Sequence, residues 1–556
     1  MQVDWDVPVE MDDGVLLRAD VFRPDGDGRH PVILSYGPYA KGLAFQEGYP
    51  NQWERMVSEH PDVAAGSSNR YQNWEVVDPE KWVPDGYVCV RVDSRGAGRS
   101  PGRLDPFSPR ETSDLAACIE WAATQPWSSG KVGLNGISYY AMNQWHVASL
   151  RPRGLTAMCA WEGASDWYRD ATHHGGILCT FFGNWYEMQV TTVQNGLGAR
   201  GPVNPNTGEP ACGPEKLDDE ELAARRADFA ADVAAHPLDD AYHRARSGDW
   251  PEIDVPLLSA GNWGGHGLHL RGNVEGYVRS ASRQKWLELH GLEHWTHFYT
   301  DYGVRLQKRF FGHFLKGEDS GWEAQPPVLL QVRHVDGTFT ERGEEEWPIA
   351  RTEWTRWELG DGAYDALGDG LTFMGEPLER ETEITGPSAA KLFVSSSTED
   401  ADLFVVLRAF DPEGDELVFQ GAIDPHTPIA QGWLRASHRK LDPGLSEPYR
   451  PYHAHDEKQP LVPGEVYELD VEIWPTSIVL PAGYRLALTI RGKDYEYPHA
   501  GGDRLSTFRN ELRGSGPFLH DDPDDRPPKV FGGTVTVHAG SYVLLPFVPE
   551  PDQTSR

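Results

Sequence analysis

Cysteine is scarce: five residues in 556 (Cys89, Cys118, Cys159, Cys179 and Cys212), scattered and without a CxxC pair. A disulfide framework is thereby excluded, and the thiols are expected to be reduced, buried small hydrophobes. No apolar run approaches the ~20 residues that a membrane-spanning helix needs. The opening Met1-Gln-Val-Asp-Trp-Asp has neither the basic nor the apolar region of a secretory signal, so a cytoplasmic protein is expected. Positive charge is also in short supply. Lys+Arg 51 against Asp+Glu 85 leaves a net charge of −34, which repels phosphate backbones and argues against nucleic acid as a partner. Aromatic residues, by contrast, abound: Trp 20, Tyr 21 and Phe 20 suffice for large aromatic-lined clefts, and 39% hydrophobic content excludes a disordered acidic chain. At roughly 150 residues per domain, the length predicts three to four folding units.

Short apolar runs (Pro31–Ser35, Tyr87–Val92, Lys131–Asn135, Leu155–Trp161) alternate with helix-like segments such as Glu111–Ala123, in which Leu115, Ile119 and Ala122 share one face. That alternation predicts a mainly parallel sheet covered on both sides. The rhythm breaks over residues 167–246, where aromatic pieces (Phe181–Met188), a Gly/Pro/Asn-rich stretch and a charged helix, Asp218–Ala235, predict a helical cap. It resumes at Val255–Ala260 and Trp286–His290. Beyond Gly317 the helical signal fades. Val328–Arg333, Leu403–Phe410, Val466–Ile473, Tyr484–Ile490 and Gly533–His538 alternate between Pro/Gly turns, as a β-sandwich does. The expected fold class is therefore α/β: a core in two parts (1–166 and 247–320), a cap (167–246) and a C-terminal sandwich (321–556).

Gly136-Ile-Ser138-Tyr-Tyr140 lies between the strand Lys131–Asn135 and a helical pattern, Ala141–Leu150. A serine on such a turn lifts its hydroxyl above the sheet edge, although the second glycine of the usual GxSxG pattern is replaced by Tyr140. The bland reading is a helix N-cap serine. Asp93-Ser-Arg95-Gly-Ala-Gly-Arg-Ser100 lacks the Gly-Lys-Ser/Thr ending of a phosphate loop and is read as a structural turn. His173 and His174 are adjacent and no Cys/His quartet occurs, so neither metal nor cofactor is expected.

Glu111-Thr-Ser-Asp114, Gln125-Pro-Trp127, Gly130–Tyr139, Gly37-Pro-Tyr39-Ala-Lys41, Asp93–Ser100 and Phe310–Gly317 together resemble the cocaine esterase and X-Pro dipeptidyl peptidase (CocE/NonD) family. The motifs occur in order along most of the chain. The resemblance implies an α/β-hydrolase core with a helical cap and a jelly-roll-like domain, and Ser138 as nucleophile. It implies His294, in Gly291-Leu-Glu-His294-Trp, as base in preference to His290 and His297. The Tyr39 phenol and the Tyr139 N–H would form the oxyanion hole; the alternatives are that His294 packs beside Trp295 and that Tyr39 plugs a strand end.

One departure from the family stands out. Where its aspartate is expected, after Pro256–Ala260, the turn reads Gly261-Asn-Trp-Gly264-Gly-His266 and holds no carboxylate. Glu162, ending the strand Leu155–Trp161, is the preferred acid, with Gly264-Gly265 expected to leave room for its approach. Asp166 comes second, Glu293 third, and the absence of any acid stays open. A substrate cleft is expected among Trp167, Tyr168, Phe181, Trp185 and Trp263.

The expected activity is cleavage of a small carboxylic ester or amide through an acyl-enzyme. X-Pro peptidase or α-amino-acid ester hydrolase action is the alternative, with Glu162, Asp166 and Asp170 able to grip an ammonium group. A degenerate hydrolase that binds carbohydrate is the non-enzymatic rival, and a homo-oligomer is left open.

Overall fold

In the computed structural model, which describes residues 1–505 and 507–550, the apolar runs of the first part of the chain assemble into one ten-stranded sheet. Its strands are β1 (Gln2–Glu10), β2 (Leu16–Arg23), β3 (His30–Gly37), β4 (Val88–Asp93), β5 (Ser128–Ile137) and β6 (Leu155–Trp161). A small hairpin in the cap, β7 (His173–His174) with β8 (Ile177–Leu178), stands apart. The sheet then continues with β9 (Leu257–Asn262), β10 (Lys285–His290), β11 (Val328–Arg333) and β12 (Phe339–Glu344). Spatial order is β1-β2-β4-β3-β5-β6-β9-β10-β11-β12, parallel from β4 to β11 and antiparallel at both edges. The central strands β4, β5 and β6 are apolar and buried because helices such as Pro109–Ala123, Tyr139–Ala148 and Asp301–Lys316 cover them.

β11 and β12, expected to open the sandwich, instead extend this first sheet: Leu287, Glu288 and Leu289 pair in parallel with Val328, Leu329 and Leu330. The core thus reaches past residue 321, since a short apolar strand suits either sheet and its residues do not say which one receives it. The charged helix expected over 218–235 is two short helices, Asp219–Ala224 and Phe229–Ala234. Between them the Arg225 carbonyl and the Ala227 N–H pair with the backbone of Leu104, which takes both groups out of any helical ladder.

The second sheet is antiparallel throughout and curls around its own apolar core, forming the C-terminal sandwich. Among the described residues no helix is long and apolar enough to cross a membrane. All five cysteines are free and buried. The carboxyl ends of β3, β5, β6, β9 and β10 lie along one edge, where an open α/β sheet places its ligand site.

Candidate active site

Ser138 follows β5 directly and adopts φ 59° and ψ −111°, a conformation costing a non-glycine residue about 1–3 kcal/mol. The neighbouring backbone holds it there. Its N–H donates to the carbonyls of Trp161 (3.1 Å) and Glu162 (3.0 Å), while its own carbonyl accepts from Met142 (2.7 Å). The missing second glycine of the motif is explained by Tyr140, whose ring covers two other glycines. A Cβ at Gly136 would lie 2.4 Å from the Tyr140 Cβ, and one at Gly37 would lie 2.5 Å from the ring. The space usually opened after the serine is here opened at its neighbours.

Oγ of Ser138 lies 2.8 Å from Nε2 of His269, a residue that the sequence reading did not single out. The other nitrogen of His269 accepts the Ala164 N–H at 3.0 Å. That bond fixes the tautomer: Nδ1 is bare, Nε2 carries the proton, and His269 donates to the serine oxygen. Burial, then the nearby charge of His294, holds its pKa well below the usual histidine range, so the ring stays neutral.

His294 packs beside it, ring centroids 5.4 Å apart. Its Nδ1 lies 3.3 Å from a Glu162 oxygen and its Nε2 lies 2.8 Å from Glu75. Burial opposes a charge on His294, but Glu162 and then Glu75 outweigh it and raise its pKa to about 9. Burial lifts Glu75 to about 7 against the pull of His294. Glu162 is held below the usual carboxylate range; burial is overcome by His294 and His290. The second oxygen of Glu162 meets His290 Nε2 at 3.0 Å, and His290 is anchored in turn by Glu288 at 2.7 Å.

Asp166 is not near these rings. It caps the turn Trp167–Thr172 through the N–H groups of Tyr168 and Arg169 and pairs with the Arg169 guanidinium at 2.9 Å. Glu293 pairs with Arg55, and Asp170 with Arg271. At Gly264 the room expected for the approach of Glu162 is filled from the sandwich. A Cβ there would lie 2.2 Å from the Gly421 Cα, the Gly264 carbonyl accepts the Ala422 N–H (3.0 Å), and the Ala422 carbonyl accepts the His294 N–H (2.8 Å).

A cavity opens above Ser138, walled by Tyr39, Trp74, Glu75, Phe107, Tyr139, Phe181, Phe182, Trp185, His294 and Ile423, among others. Of the five aromatics named for the cleft, Phe181 and Trp185 line this cavity. The other three aromatics serve the interior. Trp167 lies behind Phe107 and Phe182, Tyr168 stacks on His173, and Trp263 packs on Trp347 while donating its N–H to the Gln331 carbonyl. The Tyr39 hydroxyl accepts the Trp185 indole N–H at 2.8 Å, which leaves its own proton to donate. Tyr139 begins the helix Tyr139–Ala148, so its N–H is one of the donors a helix cannot satisfy from within. The free Oε2 of Glu75 is buried without a hydrogen-bond partner among the described residues.

A hydroxyl strained into that turn, in contact with an imidazole and facing an aromatic-walled cavity, has the setting that acyl transfer requires. The molecule is a serine hydrolase built on an α/β sheet. Residues 13–299 match the X-Pro dipeptidyl-peptidase (S15 family) and residues 361–502 its C-terminal non-catalytic domain, so the chain belongs to that family. A CocE/NonD family hydrolase from Staphylococcus aureus is 30% identical, superposes with a TM-score of 0.82 and covers 98% of this chain and 94% of its own. The cocaine esterase of a Rhodococcus species is 24% identical over 583 residues, spanning 88% of this chain and 90% of that one. An α-amino acid ester hydrolase, 16% identical with a TM-score of 0.63, shares the fold over 98% of this chain and 96% of its own.

Proposed function

We propose that the enzyme cleaves a small carboxylic ester through an acyl-enzyme on Ser138, with His294 as base, Glu162 as its acid, and Tyr39 and the Tyr139 N–H as oxyanion donors. The strained serine at the floor of the aromatic cavity carries this reading. His269 touches the nucleophile but is unsuited to the base's role. Becoming an imidazolium would put a proton on Nδ1, where the Ala164 N–H already points. Its Nε2–H instead donates to Oγ and favours the alkoxide as it forms. His294 has the carboxylate on Nδ1 that a base requires, and its Nε2 faces Glu75, a wall of the same cavity as Ser138. The role requires that Glu75 leave Nε2, so that this nitrogen is free for the serine proton. A fluorophosphonate probe should label Ser138 in a one-to-one ratio, read by mass spectrometry of the modified peptide; folded protein that takes no label overturns the reading.

The base assignment has its own signature. A base acts only when deprotonated, and two carboxylates keep His294 protonated up to about pH 9. Below that value kcat/KM should rise about tenfold per pH unit. Glu75→Gln removes one of the two charges that raise the pKa, so the ascending limb should move to lower pH. His269, whose pKa is depressed, would give a flat profile between pH 7 and 9 that Glu75→Gln leaves alone. Tyr39→Phe keeps the ring and removes one oxyanion donor. Its kcat should fall by about 10²–10³ with KM little changed; an effect confined to KM would assign Tyr39 to cavity shape only.

One observation favours α-amino-acid esters or X-Pro peptides as a second reading: the free Glu75 oxygen in the cavity can receive a substrate ammonium group. Asp166, Asp170 and Glu162 are each engaged elsewhere. Comparing an aminoacyl ester with its des-amino analogue separates the two readings. A cytoplasmic location is consistent with five reduced cysteines.

A further inference from the structure

Away from Ser138, the cap hairpin brings His174 and Cys179 against His520 of the C-terminal part, with one donor atom from each residue within 4.8 Å of the others. All three side chains are buried. The two rings face each other through His174 Nδ1 and His520 Nε2, 2.8 Å apart. Their outer nitrogens are already committed. His174 Nε2 meets the Asp170 carbonyl at 2.9 Å, and His520 Nδ1 meets the Asp494 carboxylate at 2.8 Å. Both partners are acceptors, so both outer nitrogens carry the protons. In neutral rings the inner nitrogens are then bare, and two lone pairs converge on one point beside a thiol. A proton shared between the rings satisfies the pair at this spacing, and a metal ion does so once the rings part to the about 3.3 Å that two ~2.0 Å zinc–nitrogen bonds set. A carbonyl and a carboxylate on the outer nitrogens are also the supports that orient metal-ligating histidines.

We propose that His174 Nδ1, His520 Nε2 and Cys179 Sγ bind one zinc ion that staples the cap to the C-terminal segment. Two imidazoles and a thiolate suit a borderline d¹⁰ cation, and zinc keeps one further position for water. The Asp494 carboxylate on His520 Nδ1 favours a positive ion beside it. On binding, the S–H bond breaks, its proton leaves to buffer, and thiolate and imidazole lone pairs form the three bonds; zinc changes no oxidation state. Affinity therefore rises with pH. The staple lies close to the catalytic cavity. Phe181, two residues beyond Cys179, lines that cavity and packs on Phe518, two residues before His520, at 4.8 Å between ring centroids.

The test uses full-length protein stripped with chelator and reloaded with zinc or with cobalt(II) as its spectroscopic stand-in. Expected are one metal per chain after dialysis, a higher unfolding temperature, and a thiolate-to-cobalt charge-transfer band that Cys179→Ser abolishes. His520→Gln, read by metal content and unfolding temperature, should abolish retention if Cys179→Ser proves unstable. Wild-type protein that retains no metal, or a cobalt spectrum unchanged by Cys179→Ser, overturns the proposal and leaves a proton shared between the two rings.

Discussion

Ser138→Ala should fold as the wild type does and lose ester turnover by about a million-fold, the scale on which removal of an acyl-enzyme nucleophile acts. The residue is only partly buried, and its hydroxyl meets His269 Nε2. Its removal therefore leaves a donor facing an open cavity rather than a void in packed interior. The constraints on this residue's backbone come from its own N–H and carbonyl, which alanine keeps. Burst kinetics with a chromogenic ester read the result: a burst that persists in the variant excludes Ser138 as the acylated residue. The same substitution should raise or spare ester binding measured with a non-hydrolysable analogue, since the aromatic wall is unchanged.

Glu162→Gln should lower kcat by up to about 10⁴ without unfolding the protein, approaching the loss for His294→Ala. Glutamine fills the same volume but cannot stabilise an imidazolium, and it presents an amide to the nitrogen whose tautomer must be fixed. His290 keeps Glu288 at 2.7 Å, so the neighbouring buried ring retains a carboxylate partner. Glu162 and His294 act as one unit, and the double variant should add little to either single one. Circular dichroism at matched concentration separates loss of chemistry from loss of fold. Asp166→Asn, in contrast, removes a helix cap and a buried ion pair, and should lower the unfolding temperature more than kcat. Losses in kcat of equal size for Asp166→Asn and Glu162→Gln would remove Glu162 from its assigned role.

The parts of this molecule that announce themselves in sequence are those made by neighbours along the chain. Ser138 is legible because strand, turn and helix follow one another within twenty residues, and the sandwich because turns punctuate its strands. Strand β11 shows the limit of that local signal: its alternation marks a strand but not which sheet receives it. His269 and Glu75 lie 131 and 219 residues from the groups they touch, Ser138 and His294. Nothing in the runs Gly267-Leu-His269 or Asn73-Trp-Glu75 records those partners. A histidine in a glycine-rich turn at the catalytic edge was the one available signal for His269. The aromatics divided in the same way. Phe181 and Trp185 line the cavity and Trp263 does not, and nothing in their neighbours along the chain separates them.

The glycine at position 264 has a wider consequence. Its missing side chain lets the backbone at Gly421 and Ala422 reach the catalytic edge, where the Ala422 carbonyl holds the His294 N–H and Ile423 forms part of the cavity wall. The sandwich is therefore no appended module that evolution or an engineer could detach. Its loop walls the cavity, and a chain cut after the first sheet would lose the backbone support of His294 along with one side of that cavity. Neither position accepts a side chain: one at 264 would run into the Gly421 backbone, and one at 421 into the Thr427 side chain.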